Sequence, residues 1–546
     1  MQPSSDGVVG VGARRKGGDC RRILAPAQAL PLPQNATGAG RLRALGPSGT
    51  CREGGTRMST GAVEFGEACS KFQSFGLLWL VVAIGVASCT SPNPRSCADG
   101  LCTDQALPFC DEDGSFAGVP QTCIAVDCTP DSFVRCLGDR AVSCNSTGND
   151  YEFDNCPNGC NDATGCRTCS SSDQCTASAP ICDASGSCRT CAKDDECSSL
   201  VCEAGSCVAE AGILYVSPGG SDNSACSRAE PCSWVRGLGL ARGGGVPPLI
   251  RMLPGTYVQG IFLEQATSAP LRVVGTGALI AAPVGLSITN GASVVLRGGS
   301  ISSTQTAILC GASGQPEAKA TFRDGVLAAV STSAELVRVE ECAIEISGSD
   351  LQMNASNGTG VLLTTNGRFG GDRLRVSGSA DGAIGVGGVG SRMSFGLTNS
   401  LLEGVGLVFQ ATDSADPGSY AAFAYNTFVL KPGSALGCSG GFGSAHRTMI
   451  LDNNIISGAN VLDVVEGNTC VVRSNVLFPS VGRPANVTAP PLFQDGANRN
   501  FHLMLGSPAI DAATATPSNP GVSADLDGVS RPQGAKPDIG AFERVP

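Results

Sequence analysis

At 546 residues the chain is longer than one ordinary hydrophobic core organises, so two or more domains are expected. Charged residues make up only 16% and aromatics 5%, while glycine (73) and proline (32) are abundant, which argues against a helical bundle and for turn-rich β structure. The net charge of −11 is concentrated in residues 90–211, which hold 6 basic and 19 acidic side chains; phosphate binding needs a basic face, so nucleic acid is disfavoured as a partner.

Residues 1–57 are rich in Arg, Gly and Pro without periodicity, and are expected to be a non-native or disordered extension, with translation starting at Met58 or later. Residues 75–87 then form an uninterrupted apolar run of 13, too short to span a bilayer comfortably and the size of a signal-peptide core. The run ends in Val86-Ala87-Ser88-Cys89. This ending resembles a bacterial lipobox, where small residues precede a cysteine that is lipidated and becomes the mature N-terminus. The resemblance implies a lipoprotein signal peptide over 58–89 and several acyl chains on Cys89, which anchor the chain stably to a membrane. Ser91 is not the aspartate that resembles an inner-membrane retention signal, so the outer membrane or cell surface is expected. The basic stretch before the apolar run is thin: Lys71 is close to it, but Glu64 and Glu67 precede. An uncleaved anchor or a buried helix is the competing reading.

Residues 90–211 carry eighteen of the 28 cysteines, from Cys97 to Cys207. An even number at this density in an exported chain reads as disulfides. Cys166 with Cys169 and Cys188 with Cys191 have the two-residue spacing of a zinc knuckle, but the region holds no histidine and its other spacings do not repeat as pairs. Arg167–Cys175 matches Arg189–Cys197 at a period of 22, and Cys182 and Cys188 map onto Cys202 and Cys207. Units this small bury little core, so cross-links substitute for one. The segment resembles the cysteine-rich stalks of bacterial surface lipoproteins, which implies a protease-resistant spacer or a binding module. Its acidic loops, such as Asp194–Glu196, read as solvated.

From residue 212 the pattern changes. Leu214-Tyr-Val-Ser-Pro-Gly-Gly-Ser-Asp222 is followed by a helix-compatible stretch, Ser233 to Ala241, and then by Leu249-Ile-Arg-Met-Leu-Pro-Gly-Thr-Tyr257. This order resembles the entry of pectin-lyase-like right-handed parallel β-helix proteins. Cys226 and Cys232 depart from that pattern and are expected to bond to each other. Short runs follow, each closed by Gly, Ser or Asn: 271–274, 285–288, 293–296, 336–339, 343–346, 361–363 and 373–376. In a solenoid each coil stacks its strands on the next, about 4.8 Å away, because none can bury its face alone. Asn399, Asn426, Asn454 and Asn475 each precede apolar residues, at spacings of 27, 28 and 21, and suggest a stacked amide ladder. The length suits roughly 10 to 13 coils. Cys310 with Cys342, and Cys438 with Cys470, are each 32 apart, about one coil, and are expected to staple neighbouring coils.

Residues 500–511, 525–532 and 536–543 resemble the closing segment of secreted bacterial β-helix proteins of the choice-of-anchor type. The resemblance implies a β-helix over 212–490 and a segment over 491–546 that caps the open solenoid end, which would otherwise expose strand edges. The fold class expected is therefore all-β, a right-handed parallel β-helix preceded by a small disulfide-rich module.

Signs of catalysis are sparse. A lyase needs a basic residue beside calcium-binding carboxylates, and a hydrolase needs two carboxylates at a set separation. Arg373 and Arg375 share a face by period two; Arg338 and Glu340 do likewise one or two coils earlier, with Asp324 nearby. Glu340, Arg373 and Arg375 are thus the catalytic candidates, against a reading as solvated surface charges. Asp525 and Asp527 resemble part of a calcium loop without its further ligands, against a reading as turn residues. The only histidines, His446 and His502, are isolated. The pattern favours a surface protein that binds a polysaccharide or cell-surface glycan without catalysis. The alternative is a polysaccharide lyase or glycoside hydrolase of the pectin-lyase-like superfamily.

Overall fold

The structure is a computed structural model. It describes residues 95–97 and 100–546, apart from 244–248, 267–268, 332–333, 354–358, 379–382, 390–391, 405, 412–419, 431–447, 459–469, 480–484 and 515–521.

The cysteine-rich segment is a chain of small antiparallel units. Phe109–Asp111 pairs with Thr122–Ile124, and a three-stranded sheet joins Phe133–Leu137, Arg140–Cys144 and Tyr151–Asn155. Two-residue ladders follow, such as Ile181–Cys182 on Cys188–Arg189. All eighteen cysteines from Cys97 to Cys207 are paired. Each closes a loop of 10 to 24 residues, where a cross-link contributes about 2–4 kcal/mol by restricting the unfolded chain. The 22-residue repeat is a repeat of connectivity as well: Cys169–Cys182 and Cys175–Cys188 in one unit become Cys191–Cys202 and Cys197–Cys207 in the next. The two-residue cysteine pairs are split between different bridges, so the knuckle spacing has no part in them.

The last of these units does not hang free. Val201 packs with Ile213, Tyr215, Leu249 and Val274 on the outside of the first coils, and the Tyr215 hydroxyl donates to the Ser199 carbonyl at 2.9 Å. Asp194 accepts from the Cys202 amide, from Thr276 Oγ1 at 2.7 Å and from the Arg297 guanidinium at 2.6 Å. Leu249–Met252 is therefore buried on both sides, which is why its four residues lack the usual alternation.

From Ile213 the chain winds into a right-handed parallel solenoid with three faces. The first face stacks eleven parallel strands, from Ile213–Ser221 to Cys470–Arg473. The second face follows each of these after a tight turn, with strands such as Asp350–Met353, Arg375–Gly378 and Leu401–Glu403. The third carries Glu335–Val339 and its neighbours. Ala278–Ile288 and Ser300–Cys310 each bend across the second and third faces, with a shift of register between Ala282 and Val284. Inward positions are apolar, as in Ser293–Arg297, where burial alternates strictly and Val294 and Leu296 point inward. Stacked rings run along the interior, with Phe369 and Phe395 centroids 5.0 Å apart and Phe395 and Phe423 5.2 Å apart. The helix α1 (Trp234–Gly243) covers the first opening and buries Trp234, Leu238 and Ala241. Gly237 is needed there, since a Cβ would lie 2.5 Å from Val216 Cγ1. Cys226–Cys232 ties the loop before α1, and Cys310–Cys342 joins the end of a third-face strand to the start of Cys342–Ser347, the first-face strand stacked beyond Ala318–Arg323.

The turn between the first and second faces repeats with two fixed places. Asp324, Gly348, Arg373, Asn399, Tyr425, Asn453 and Ser474 hold the left-handed conformation in successive coils, with φ between 48° and 58°. The residue after it is Gly325 or Leu374 in two of these coils, whose amides donate to Ser349 and Ser400, and in the others it fills the ladder: Ser349, Ser400, Asn426, Asn454 and Asn475, with Asn486 after the left-handed Ala485 adding a last rung. Asn426 Oδ1 accepts from the Ser400 amide, Asn454 Oδ1 from the Asn426 amide, and Asn475 Oδ1 from the Asn454 amide at 2.8 Å. Asn399 is thus one residue out of the ladder expected from its spacing, and Ser400 takes that rung. The carboxamides of Asn426, Asn454 and Asn475 are fully buried, and each donates to a carbonyl of the preceding coil. Cys438 lies outside the described residues, as does the Cys470 side chain.

The C-terminal segment is placed differently from the end cap that its resemblance implies. Leu401 packs under Phe501, Leu526, Ala541 and Phe542, and Ile455 and Val476 under Leu503, Ala509 and Ile539. The segment thus lies along the outside of the second face over the last coils. The apolar outward residues there explain why it docks sideways. At the open end Asn486 and Val487 instead lay one further rung on Asn475 and Val476.

Candidate binding cleft on the second face

Where the C-terminal segment begins, the second face changes chemistry. By register, Val326, Asp350, Arg375 and Leu401 form one outward column, and Ala328, Gln352, Ser377 and Glu403 form another. The columns pass from apolar to polar and then vanish under the segment. The boundary is a cleft of about 320 Å³, lined by Asp350, Gln352, Arg375, Ser377, Glu403 and Arg499.

Both sides of the cleft are held by charge pairs. Arg499, the left-handed residue closing the short helical turn Gly496–Asn498, donates to Glu403 at 2.7 Å. Arg375 donates to Asp527 Oδ1 at 2.5 Å, and His502 Nε2 meets Asp527 Oδ2 at 2.8 Å. The other ring nitrogen of His502 lies 2.7 Å from Asn500 Oδ1, and the ring rests on Phe542 at 4.3 Å between centroids. Both nitrogen contacts and the tilted ring contact fix its plane.

Only part of the constellation expected from sequence comes together. Arg375 is an outward strand residue of the second face. Arg373 is not its strand neighbour: it is the left-handed turn residue, paired with Asp372 at 3.1 Å. Period-two reasoning fails there because the strand begins only at Arg375. Glu340 follows the third-face strand Glu335–Val339, as Arg338 belongs to it, so both lie on another face from Arg375. Arg338 is tied to Glu335, whose hydrogen bonds raise its pKa above the ordinary arginine value. Asp324 is again a left-handed turn residue.

Asp525 and Asp527, the calcium candidates, both have protein partners. Asp525 is buried, with Oδ1 accepting from the Asp527 and Val529 amides and Oδ2 from the Glu543 amide. Its lone pairs face N–H donors, so it shapes a turn, and Asp527 is occupied by Arg375 and His502. His446 and Cys89 lie outside the described residues.

The residues that sequence reading missed are Asp350, Gln352, Ser377, Glu403 and Arg499. The first four required the register of three coils, and Arg499 required the docked segment. A second polar groove, of about 480 Å³, runs along the turn into the first face, lined by Gln315, Glu317, Glu341, Asn366, Arg368 and Arg392. Arg368 and Glu317 form an ion pair within it. Among the described residues no helix is long and apolar enough to cross a membrane.

No family model matches the chain, and no curated protein does. Among solved structures, the pectate lyase Pel9A superposes on 61% of this chain and 96% of its own, with 16% identity and a TM-score of 0.40.

Proposed function

We propose that this chain is an exported surface protein, lipid-anchored through Cys89 at the outer membrane or cell surface, that holds a glycan in the second-face cleft without transforming it. The observation that supports this reading is the cleft itself, where two arginines, two carboxylates, a carboxamide and a hydroxyl converge at the edge of the docked segment. Such a set supplies donors and acceptors for sugar hydroxyls, and the guanidinium forks suit carboxylates of acidic sugars. Arg375 is a poor base, because a guanidinium keeps its proton and this one faces a carboxylate. The role left to it is recognition.

The test is binding of acidic and neutral polysaccharides to the oxidised protein, with calcium present and then chelated. Arg375→Ala and Arg499→Ala should each weaken binding of an acidic glycan about tenfold, the scale of one lost charged hydrogen bond. Chelation should leave it unchanged. Following unsaturated products and reducing ends in the same samples addresses the enzyme alternative. Turnover abolished by Arg375→Ala, or affinity unchanged from the unaltered protein in both variants, would sink the proposal.

A further inference from the structure

The solenoid cleft offers no aromatic ring for the apolar face of a sugar, yet such rings are gathered in the cysteine-rich segment. Phe109, Phe116, Tyr151 and Phe153 form one cluster there. Phe116 stacks on Tyr151 at 4.7 Å, Phe109 meets Tyr151 edge-on at 4.9 Å, and Phe109 lies 6.2 Å from Phe153. Phe109, Phe116 and Tyr151 are half-buried against one another. A core does not account for the rest. Phe153 is 38% exposed and Leu101 77%, although both are large and apolar. They border a cavity of about 520 Å³ that Phe109 and Phe116 also line, within the usual range for small-ligand sites.

The exposed charged lining of this cavity is three carboxylates and one guanidinium. Glu112, Asp113 and Asp150 place carboxylates on its rim, and Arg140 lies 5.2 Å from the Phe153 ring and joins the same wall. Asp111 is buried, and its Oδ2 accepts from the Phe116 and Ala117 amides at 2.9 and 2.6 Å. That pins the backbone carrying Phe116, whose ring is taken up by Tyr151 and by the Arg135 guanidinium 3.9 Å from its centroid, so the ring left exposed to a ligand is Phe153. Aromatic faces beside carboxylate acceptors and a guanidinium donor match a pyranose, which has an apolar C–H face and a rim of hydroxyls. The charge balance of residues 90–211, 6 basic against 19 acidic, repels polyanions.

We infer that this cavity is a saccharide site for neutral sugars, separate from the solenoid cleft and independent of it. The cysteine-rich segment is then a recognition module rather than a spacer alone.

The experiment titrates the full, oxidised protein with neutral tetrasaccharides (β-1,3-glucan, β-1,4-glucan, mannan and galactan) and with an oligogalacturonate, by calorimetry. At least one neutral sugar should bind with a millimolar or tighter constant, and the oligogalacturonate should not compete for that site. Phe153→Ala should weaken neutral-sugar binding about tenfold, the scale of one lost stacking contact. Glu112→Gln, an exposed and nearly isosteric change, should also weaken it, and it decides the matter alone if Phe153→Ala fails to fold. Arg375→Ala should leave neutral-sugar binding as it was, so failure here and failure of the solenoid cleft read out separately. No neutral sugar bound by folded protein, or unchanged affinity in both cavity variants, overturns the inference.

Discussion

Asn454 shows what one side chain carries in a solenoid. Its Nδ2 donates to the Phe423 and Asp452 carbonyls and to Asn475, while its Oδ1 accepts from the amide and carboxamide of Asn426. Alanine there strands several groups that have no water to turn to. Asn454→Ala should cost about 3 kcal/mol, seen as a lower midpoint of urea unfolding. A change of a few tenths would mean that water enters and replaces the amide. Arg531 is the corresponding residue of the C-terminal segment. It donates to the Asp538 and Gly540 carbonyls, lies 3.4 Å from Glu543 and faces the Tyr425 ring. Burial pushes its pKa down and those of Asp538 and Glu543 up, so the group holds together only while fully paired. Arg531→Ala leaves Glu543 buried without its cation and should destabilise by about 3–5 kcal/mol. At this scale much was visible in sequence: three of the four asparagines first noticed stand on the ladder. Asn399 misled because spacing alone cannot distinguish a ladder position from the left-handed residue just before it.

Elements are decided by what they dock on. The C-terminal segment is held to the second face by Leu401, Ile455 and Val476, and it completes the cleft with Arg499, His502 and Asp527. Arg531→Ala should therefore release residues 491–546 to protease before the solenoid yields, and should also weaken acidic-glycan binding; cleavage elsewhere first would contradict this arrangement. The last cysteine-rich unit has a comparable latch in Asp194. Burial pushes its carboxyl pKa up, but donors from Cys202, Thr276 and Arg297 outweigh this and hold it below the ordinary aspartate range. A lowered folded-state pKa gives stability that is present above the unfolded value, about 3.9, and is lost as pH falls through the folded value. Protease sensitivity around residues 200–212 should accordingly rise below about pH 4. Asp194→Asn should show that sensitivity at neutral pH and lose its pH dependence. A latch equally tight at acid pH in the unaltered protein would refute the role given to this carboxylate.

The whole molecule divides by the source of its stability. The cysteine-rich segment depends on cross-links, while the solenoid depends on each coil burying the next. Reduction should make residues 95–207 protease-sensitive while the β signal of the solenoid persists in circular dichroism. Loss of both together would mean that the solenoid leans on its neighbour. What the sequence by itself determined is whatever local chemistry dictates: dense cysteines that must pair in one segment and short apolar runs that must stack in the next, where the resemblance of its entry motif implied a parallel β-helix. The tertiary structure decided what depends on register and docking. It placed Arg375 beside Asp350 and Ser377, put Glu340 on a different face, turned Arg373 into a corner residue and laid the C-terminal segment along the flank. The physical reason is that alternation tells which way a side chain points along its own strand. Which side chains become neighbours across coils depends on turn lengths that vary from coil to coil, and those are settled only when hydrogen bonds such as the asparagine ladder lock one coil onto the next.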